Sequence, residues 1–373
     1  MFNAFHEAIA DISGTIRKHQ ERCGRPVIGV MPAYFPLELI HAAGGYPVQL
    51  WGAGGAVEHA DGHLQSYCCS VSRSLLELEM RGVTGRVDAY AFTSLCDTLV
   101  NLREVYRRLF AKPTVEFSIP AAQTHTARKA YLATVIENVL KGLAAVTGRA
   151  ASREALRTSA ALYGRIRSLQ REIYRIRRQK PGVVNSGDFY AAVKAGFFLP
   201  PEDYEPLLAR LSAELEALPP RKGRRPRLVL SGMVFEPVAA FGVLDDVPAD
   251  VVDDDFANGW RSAAKDALRV DDLVAGITDY VYSGAPCCCI YHPESDRHAY
   301  LVEKVKAAEA DGVLFWAIRF CEPDAFDRPQ LAERLKQEGI PAFTLEMDLA
   351  TGNFESVKTR AEAFCEMIGG LEV

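Results

Sequence analysis

Short apolar runs alternate with segments of helical apolar–polar spacing in two separate stretches of the chain. In the first stretch, Arg25–Met31 reads as a short buried strand that stops at Pro32. Pro36–Ala43 follows as a helix ended by Gly44-Gly45, since paired glycines after the last periodic residue are a helix stop. Tyr46–Trp51 predicts the next strand, then come a helix near Ser72–Arg81, a strand at Asp88–Thr93, a helix at Asp97–Phe110 and a strand at Thr114–Phe117. Strands alternating with helices in this way indicate βαβ units and a parallel sheet.

From His125 to Gln179 the pattern is helical and strand-free. Its second half carries Arg167, Arg171, Arg175 and Arg178 at spacings that place them on one helix face. That face reads as solvated or subunit-facing, or as a docking surface for an anionic partner or coenzyme phosphates. Helices at Gly187–Ala195 and Pro201–Leu218 lead to Pro219–Pro226, a break rich in proline, glycine and charge. A second α/β run then begins, with strands at Arg227–Ser231, Val251–Val252 (running into Asp253-Asp254-Asp255), Gly312–Ile318 and Pro341–Leu345. Its helices fall at Asp296–Ala310, Arg328–Glu338 and Asn353–Ile368. The pattern predicts an α/β protein with an N-terminal α/β domain over 1–124, a helical region and linker over 125–220, and a C-terminal α/β domain over 221–373.

Composition narrows the classes of function. A chain of 373 residues, 49% hydrophobic and 24% charged, can build full cores in two or three domains. A net charge of -5 argues against a dedicated nucleic-acid binder. No uninterrupted apolar run approaches the roughly 18–20 residues that span a bilayer, and the N-terminus lacks a basic segment followed by an apolar one. A cytoplasmic protein is expected. GxGxxG, the Walker A pattern, GxSxG and HExxH are all absent from the sequence, so ATP binding through a P-loop is excluded.

The nine cysteines carry the most information. Cys96 and Cys321 each follow a predicted strand, one in each half, and Cys69 precedes a helix. Ligands of open α/β sheets gather at the carboxyl ends of strands, so three thiolates at a cleft between the halves would suit a metal or an iron–sulfur cluster. Dispersed cysteines are also ordinary core residues, because a thiol is a small apolar group. The run Cys287-Cys288-Cys289 follows Gly284-Ala285-Pro286 in a loop, and neighbouring side chains are expected to point apart, so at most one or two would face a site. That run is therefore expected to border the cleft without supplying obligatory ligands. His59, His63 and His292 are loop-like candidates for proton donors.

Several segments together resemble the 2-hydroxyacyl-CoA dehydratase and benzoyl-CoA reductase family. They are Pro36–Gly44 with Tyr46-Pro47-Val48, Cys69-Ser70-Val71-Ser72-Arg73, Ser94-Leu95-Cys96-Asp97-Thr98, Pro286-Cys287, Asp311-Gly312-Val313, Phe320-Cys321-Glu322-Pro323 and Thr359–Phe364. The likeness runs from about Pro26 to Ile368. It implies two Rossmann-like (flavodoxin-like) parallel-sheet domains joined by a helical region, and one 4Fe–4S cluster held by three cysteines with one iron left free of cysteine. Carried over by motif, the ligands are Cys69, Cys96 and Cys321, with Cys68 and Cys287–Cys289 as spare thiols.

The resemblance also implies partners. These are a paralogous larger catalytic subunit, an ATP-hydrolysing iron–sulfur activator fed indirectly by ferredoxin, and an acyl-CoA or aryl-CoA substrate, with no nucleic acid and no membrane. The short N-terminus is similar to that of the smaller subunit. The expected role is the iron–sulfur subunit of an ATP-dependent benzoyl-CoA reductase, an oxidoreductase of anaerobic aromatic degradation that reduces the ring to a cyclohexadiene thioester. The alternatives are a 2-hydroxyacyl-CoA dehydratase subunit using a ketyl radical, and an electron-relay subunit that never meets substrate.

Overall fold

A computed structural model describes residues 1–120, 127–290, 296–350 and 354–369. Two four-stranded sheets organise the chain. The first is built from β1 (Val27–Val30), β2 (Tyr46–Gln49), β3 (Ala89–Thr93) and β4 (Thr114–Phe117), in the order β2-β1-β3-β4. The second contains β5 (Arg227–Gly232), β6 (Asp250–Asp255), β7 (Gly312–Ile318) and β8 (Ala342–Met347), in the order β6-β5-β7-β8. Every neighbouring pair is parallel, with Val27 opposite Tyr46 in one sheet and Leu228 opposite Gly312 in the other. The two halves thus repeat one topology. The central strands β1, β3 and β7 are buried at every position, as a parallel sheet covered on both faces requires.

Helices pack around the sheets, Arg128–Thr147 on β4 of the first and Arg153–Gln179 against β6 of the second. Arg153–Gln179 is the longest, and Arg128–Thr147, Ser186–Ala195 and Pro201–Ala217 flank it. Helix 128–147 is the one described helix long and apolar enough to cross a membrane by length and composition. Here it buries Leu132, Val135, Ile136, Val139 and Leu143, and Gly142 packs closely on Val115 of β4. An N-terminal pair, Asn3–Ala10 and Ile12–Cys23, docks on this region through Phe5, edge-on to Tyr204, and His6, 2.6 Å from Asp188.

The halves are tied directly. The Ser70 amide donates to the Arg319 carbonyl (3.3 Å) and that of Gly55 to Leu349 (3.0 Å), while Gln49 ties the first half to the helical region at the Phe197 carbonyl (2.9 Å). Lys194 of the helical region meets Glu236 of the second half at 2.8 Å, with both side chains buried.

Most predicted strands and helices are present with small shifts at their ends; the differences are two displaced boundaries and several helices that the pattern does not predict. The strand expected at Val251–Val252 continues through the acidic run to Asp255. It can, because each aspartate has a buried partner: Asp253 takes Arg178 (2.8 Å) and Lys304 (2.9 Å), Asp254 takes the Tyr174 and Tyr190 hydroxyls (2.6 and 3.0 Å), and Asp255 takes Arg261 and Arg297. The helix expected from Arg328 begins at Glu322, immediately after Cys321. The helices at Asn3–Ala10, Ile12–Cys23, Ala239–Leu244, Trp260–Ala263 and Leu273–Tyr282 are outside the predicted set.

Candidate functional site

In a sheet ordered 2-1-3-4 the chain leaves β1 and β3 toward opposite faces, which opens a crevice at their carboxyl ends. The second sheet does the same at β5 and β7. The two crevices face each other across a cavity of about 60 Å³. Ala33 comes from the segment after β1, Cys96 from after β3, Met233 from after β5 and Cys321 from after β7. Cys69 completes the wall from the head of the helix that follows it.

Cys69, Cys96 and Cys321 share a local position. Each is the residue that caps the N-terminus of a helix: Ser70–Met80, Asp97–Phe110 and Glu322–Gln337. Three helix N-termini thus aim free amides and positive dipole ends at one cavity, an arrangement that favours anions. Burial, with a smaller push from the neighbouring Cys69, raises the Cys96 thiol to about 11 and Cys321 higher still, against the opposing amides of Leu99 and Thr98 and of Asp324. No Lys, Arg or His lines the cavity among the described residues. With no cationic side chain on the wall, the raised Cys96 and Cys321 thiols would give up their protons to a metal that supplies the charge.

Strained backbone borders the same space. Ala33 and Tyr34 after β1 and Phe320 before Cys321 hold left-handed conformations, with φ of 63°, 63° and 61°. Such conformations are costly for residues with a side chain and cluster at functional sites. Gly232 ends β5 where a Cβ would lie 2.4 Å from the Trp316 carbonyl oxygen, so only glycine lets β5 and β7 approach here.

Beside the cavity, and sharing Cys96 and Cys289 with it, lies an open groove of about 1000 Å³. Its walls are Cys287–Cys289, Arg297, His298, Phe326 and Asp327. The cysteine run borders the cleft as expected, but its side chains do not diverge. A turn closed by the Ile290 amide on the Cys287 carbonyl (3.0 Å) gathers all three sulfurs within 4.8 Å of one another. No other group of three such donors among the described residues is that tight, so Cys69, Cys96 and Cys321 are spread wider than one ion needs. A cubane, which holds its thiolates at separate corners, asks for such a spread.

The arginine face is used within the chain, buried at Arg167 and solvated at Arg175. Arg167 is buried against Glu38 at 2.7 Å, and Arg171 donates to the Ala263 and Lys265 carbonyls (2.9 and 3.0 Å). Arg178 pairs with Asp253, and Arg175 with Glu172 and Glu216 at 2.6 and 2.9 Å. Intramolecular acids and carbonyls use the face up. His59 leans on Glu77 at 2.9 Å, His63 is exposed away from both cavities' walls, and His292 lies outside the described residues. Sequence reasoning missed Arg261, which is fully buried on Asp255 and donates to Cys287 Sγ at 3.3 Å. The triple aspartate before it was the available signal, since buried carboxylates demand buried cations.

A family model described as 2-hydroxyglutaryl-CoA dehydratase, D-component, matches residues 32–368. One of the subunits of the benzoyl-CoA reductase of Thauera aromatica is 29% identical, over 92% of this chain and 91% of that one. The beta subunit of the lactoyl-CoA dehydratase of Anaerotignum propionicum is 28% identical over 94% of each. The (R)-phenyllactyl-CoA dehydratase beta subunit of Clostridium sporogenes is 25% identical over 98% of each.

Proposed function

Because the chain belongs to the 2-hydroxyglutaryl-CoA dehydratase D-component family, we propose that it is the cluster-carrying subunit of an enzyme that drives one-electron chemistry on a CoA thioester. The observation that carries this reading is the meeting of three N-capping cysteines at the mouths of two facing sheet crevices. Cys69, Cys96 and Cys321 would hold one 4Fe–4S cluster, which supplies low-potential electrons when bound. The chain's own part is to hold three thiolates, to meet their charge with helix amides, and to wall the centre with the buried Trp51, Leu99 and Ile318 against water. The groove beside Cys96 is large enough for part of a coenzyme A thioester.

Of the reactions in the family, we assign ring reduction of an aryl-CoA, in which two electrons and two protons convert the benzoyl ring to a cyclohexadiene thioester. Its support is the likeness to the benzoyl-CoA reductase of Thauera aromatica. The second reading, dehydration of a 2-hydroxyacyl-CoA, is supported by the likeness to dehydratase beta subunits. Both readings include a related second subunit and an ATP-hydrolysing electron donor, as the family resemblance implies; the relatives are themselves subunits by name. The test is anaerobic co-expression with those partners, then assays on benzoyl-CoA, lactoyl-CoA and phenyllactyl-CoA with and without ATP. ATP-dependent loss of benzoyl-CoA is expected. Water loss from the hydroxyacyl thioesters instead would move the assignment to the dehydratases, and turnover of none with an intact cluster would leave only electron relay.

A further inference from the structure

We propose that Cys287, Cys288 and Cys289 form a second metal site, separate from the three N-capping cysteines, that binds one Zn2+ ion. Zinc–sulfur bonds of about 2.3 Å in a tetrahedron put sulfurs about 3.8 Å apart, and these three sulfurs lie within 4.8 Å of one another. A fourth sulfur is at hand, since Met233 Sδ is 3.3 Å from Cys288 Sγ. An all-sulfur donor set is soft, which selects a thiophilic ion and rejects magnesium and calcium. One activated thiolate would need only one of these sulfurs; convergence of three is what a metal asks for.

The surroundings are arranged for thiolates. Arg261, wholly buried, directs Nη1 at sulfur alone, Cys287 Sγ at 3.3 Å and Met233 Sδ at 3.5 Å, while its Nε and Nη2 hold Asp255 and the Gly232 carbonyl. A guanidinium gains little from a neutral thiol and much from a thiolate. Arg297 adds a second buried cation, bonded to Asp255 (2.8 Å), Asp327 and the Pro286 carbonyl (3.1 Å) that precedes the run. Cys288 and Cys289 are only partly buried and wall the open groove, which gives an ion a way in. The site would pin the loop shared by groove and cavity, and it stands whether or not the other three cysteines carry iron.

The test uses the full chain, produced anaerobically with its partners, supplied with Zn2+, desalted, and analysed for zinc and iron. Wild type should retain about one zinc per chain. The Cys287→Ser/Cys288→Ser/Cys289→Ser variant should lose zinc affinity by at least about tenfold with iron unchanged. Cys69→Ser/Cys96→Ser/Cys321→Ser should keep the zinc. Far-UV circular dichroism checks the fold, and Cys288→Ser alone, at a partly exposed position, repeats the measurement if the triple variant does not fold. Absence of stoichiometric zinc in wild type, zinc retained without the three thiols, or iron lost with them would each overturn the proposal.

Discussion

Glu77 shows how one buried side chain fixes a loop, gathering the 58–60 segment onto helix Ser70–Met80. Burial alone would raise its pKa, yet the His59 ring and the amides of Ala60, His59 and Glu58 hold it down at about 2. The sign follows from the depressed value. The carboxylate's stabilising contribution is complete above its ordinary pKa of 4.5 and is lost as pH falls toward 2. Thermal melts should therefore show wild type losing stability from pH 4.5 downward, and Glu77→Gln less stable at pH 7 with a flatter acid limb. Parallel acid limbs for the two proteins would show that Glu77 contributes nothing there. The three N-capping cysteines make a second residue-scale point. None makes a side-chain cap bond, whereas serine caps helices well, by about 0.5–2 kcal/mol over a non-capping residue. Serine replacements should thus leave the metal-free fold at least as stable as wild type, which makes them clean probes of metal binding.

Helix 153–179 is the element that joins the halves. It reaches Glu38 of the first half through Arg167, the Ala263 and Lys265 carbonyls through Arg171, and Asp253 in β6 through Arg178. Removing one partner of a buried pair strands the other charge, at about 3–5 kcal/mol, while removing both is often near neutral. Arg167→Met should therefore lower unfolding stability by roughly that amount in a denaturant titration, and Glu38→Met/Arg167→Met should recover most of it. Equal losses in both variants would deny the pair this role. The same helix marks what the sequence could reveal. Spacings of three and four put the arginines on one face, but spacing says nothing of what packs there, and Glu38 is more than a hundred residues away. The strands of the two halves were legible because parallel strands buried on both faces leave unbroken apolar runs. Asp253–Asp255 hid the end of β6, since most of their partners come from three distant segments and only Arg261 is near in sequence. Cys96 and Cys321 were legible as strand-end residues. The convergence of Cys287–Cys289 was not, because it depends on the turn closed at Ile290.

At the scale of the whole molecule, one topology occurs twice, and the two switch points are turned toward each other. Each half supplies part of the cysteine set: Cys69 and Cys96 come from the first, Cys321 from the second. The halves are held in register at the site itself, where the Ser70 amide donates to the Arg319 carbonyl. Neither half alone offers three thiols at a cavity without cationic side chains, so a cluster held there would depend on the halves staying together. The direct measurement is iron and acid-labile sulfide per chain, with Mössbauer spectra, on anaerobically prepared wild type and the single variants Cys69→Ser, Cys96→Ser and Cys321→Ser. Wild type should hold about four irons and four sulfides in one cubane, and each variant should lose most of them while keeping its fold. Full iron with an unchanged spectrum in any one variant would remove that cysteine from the ligand set, and full iron in all three would contradict the account.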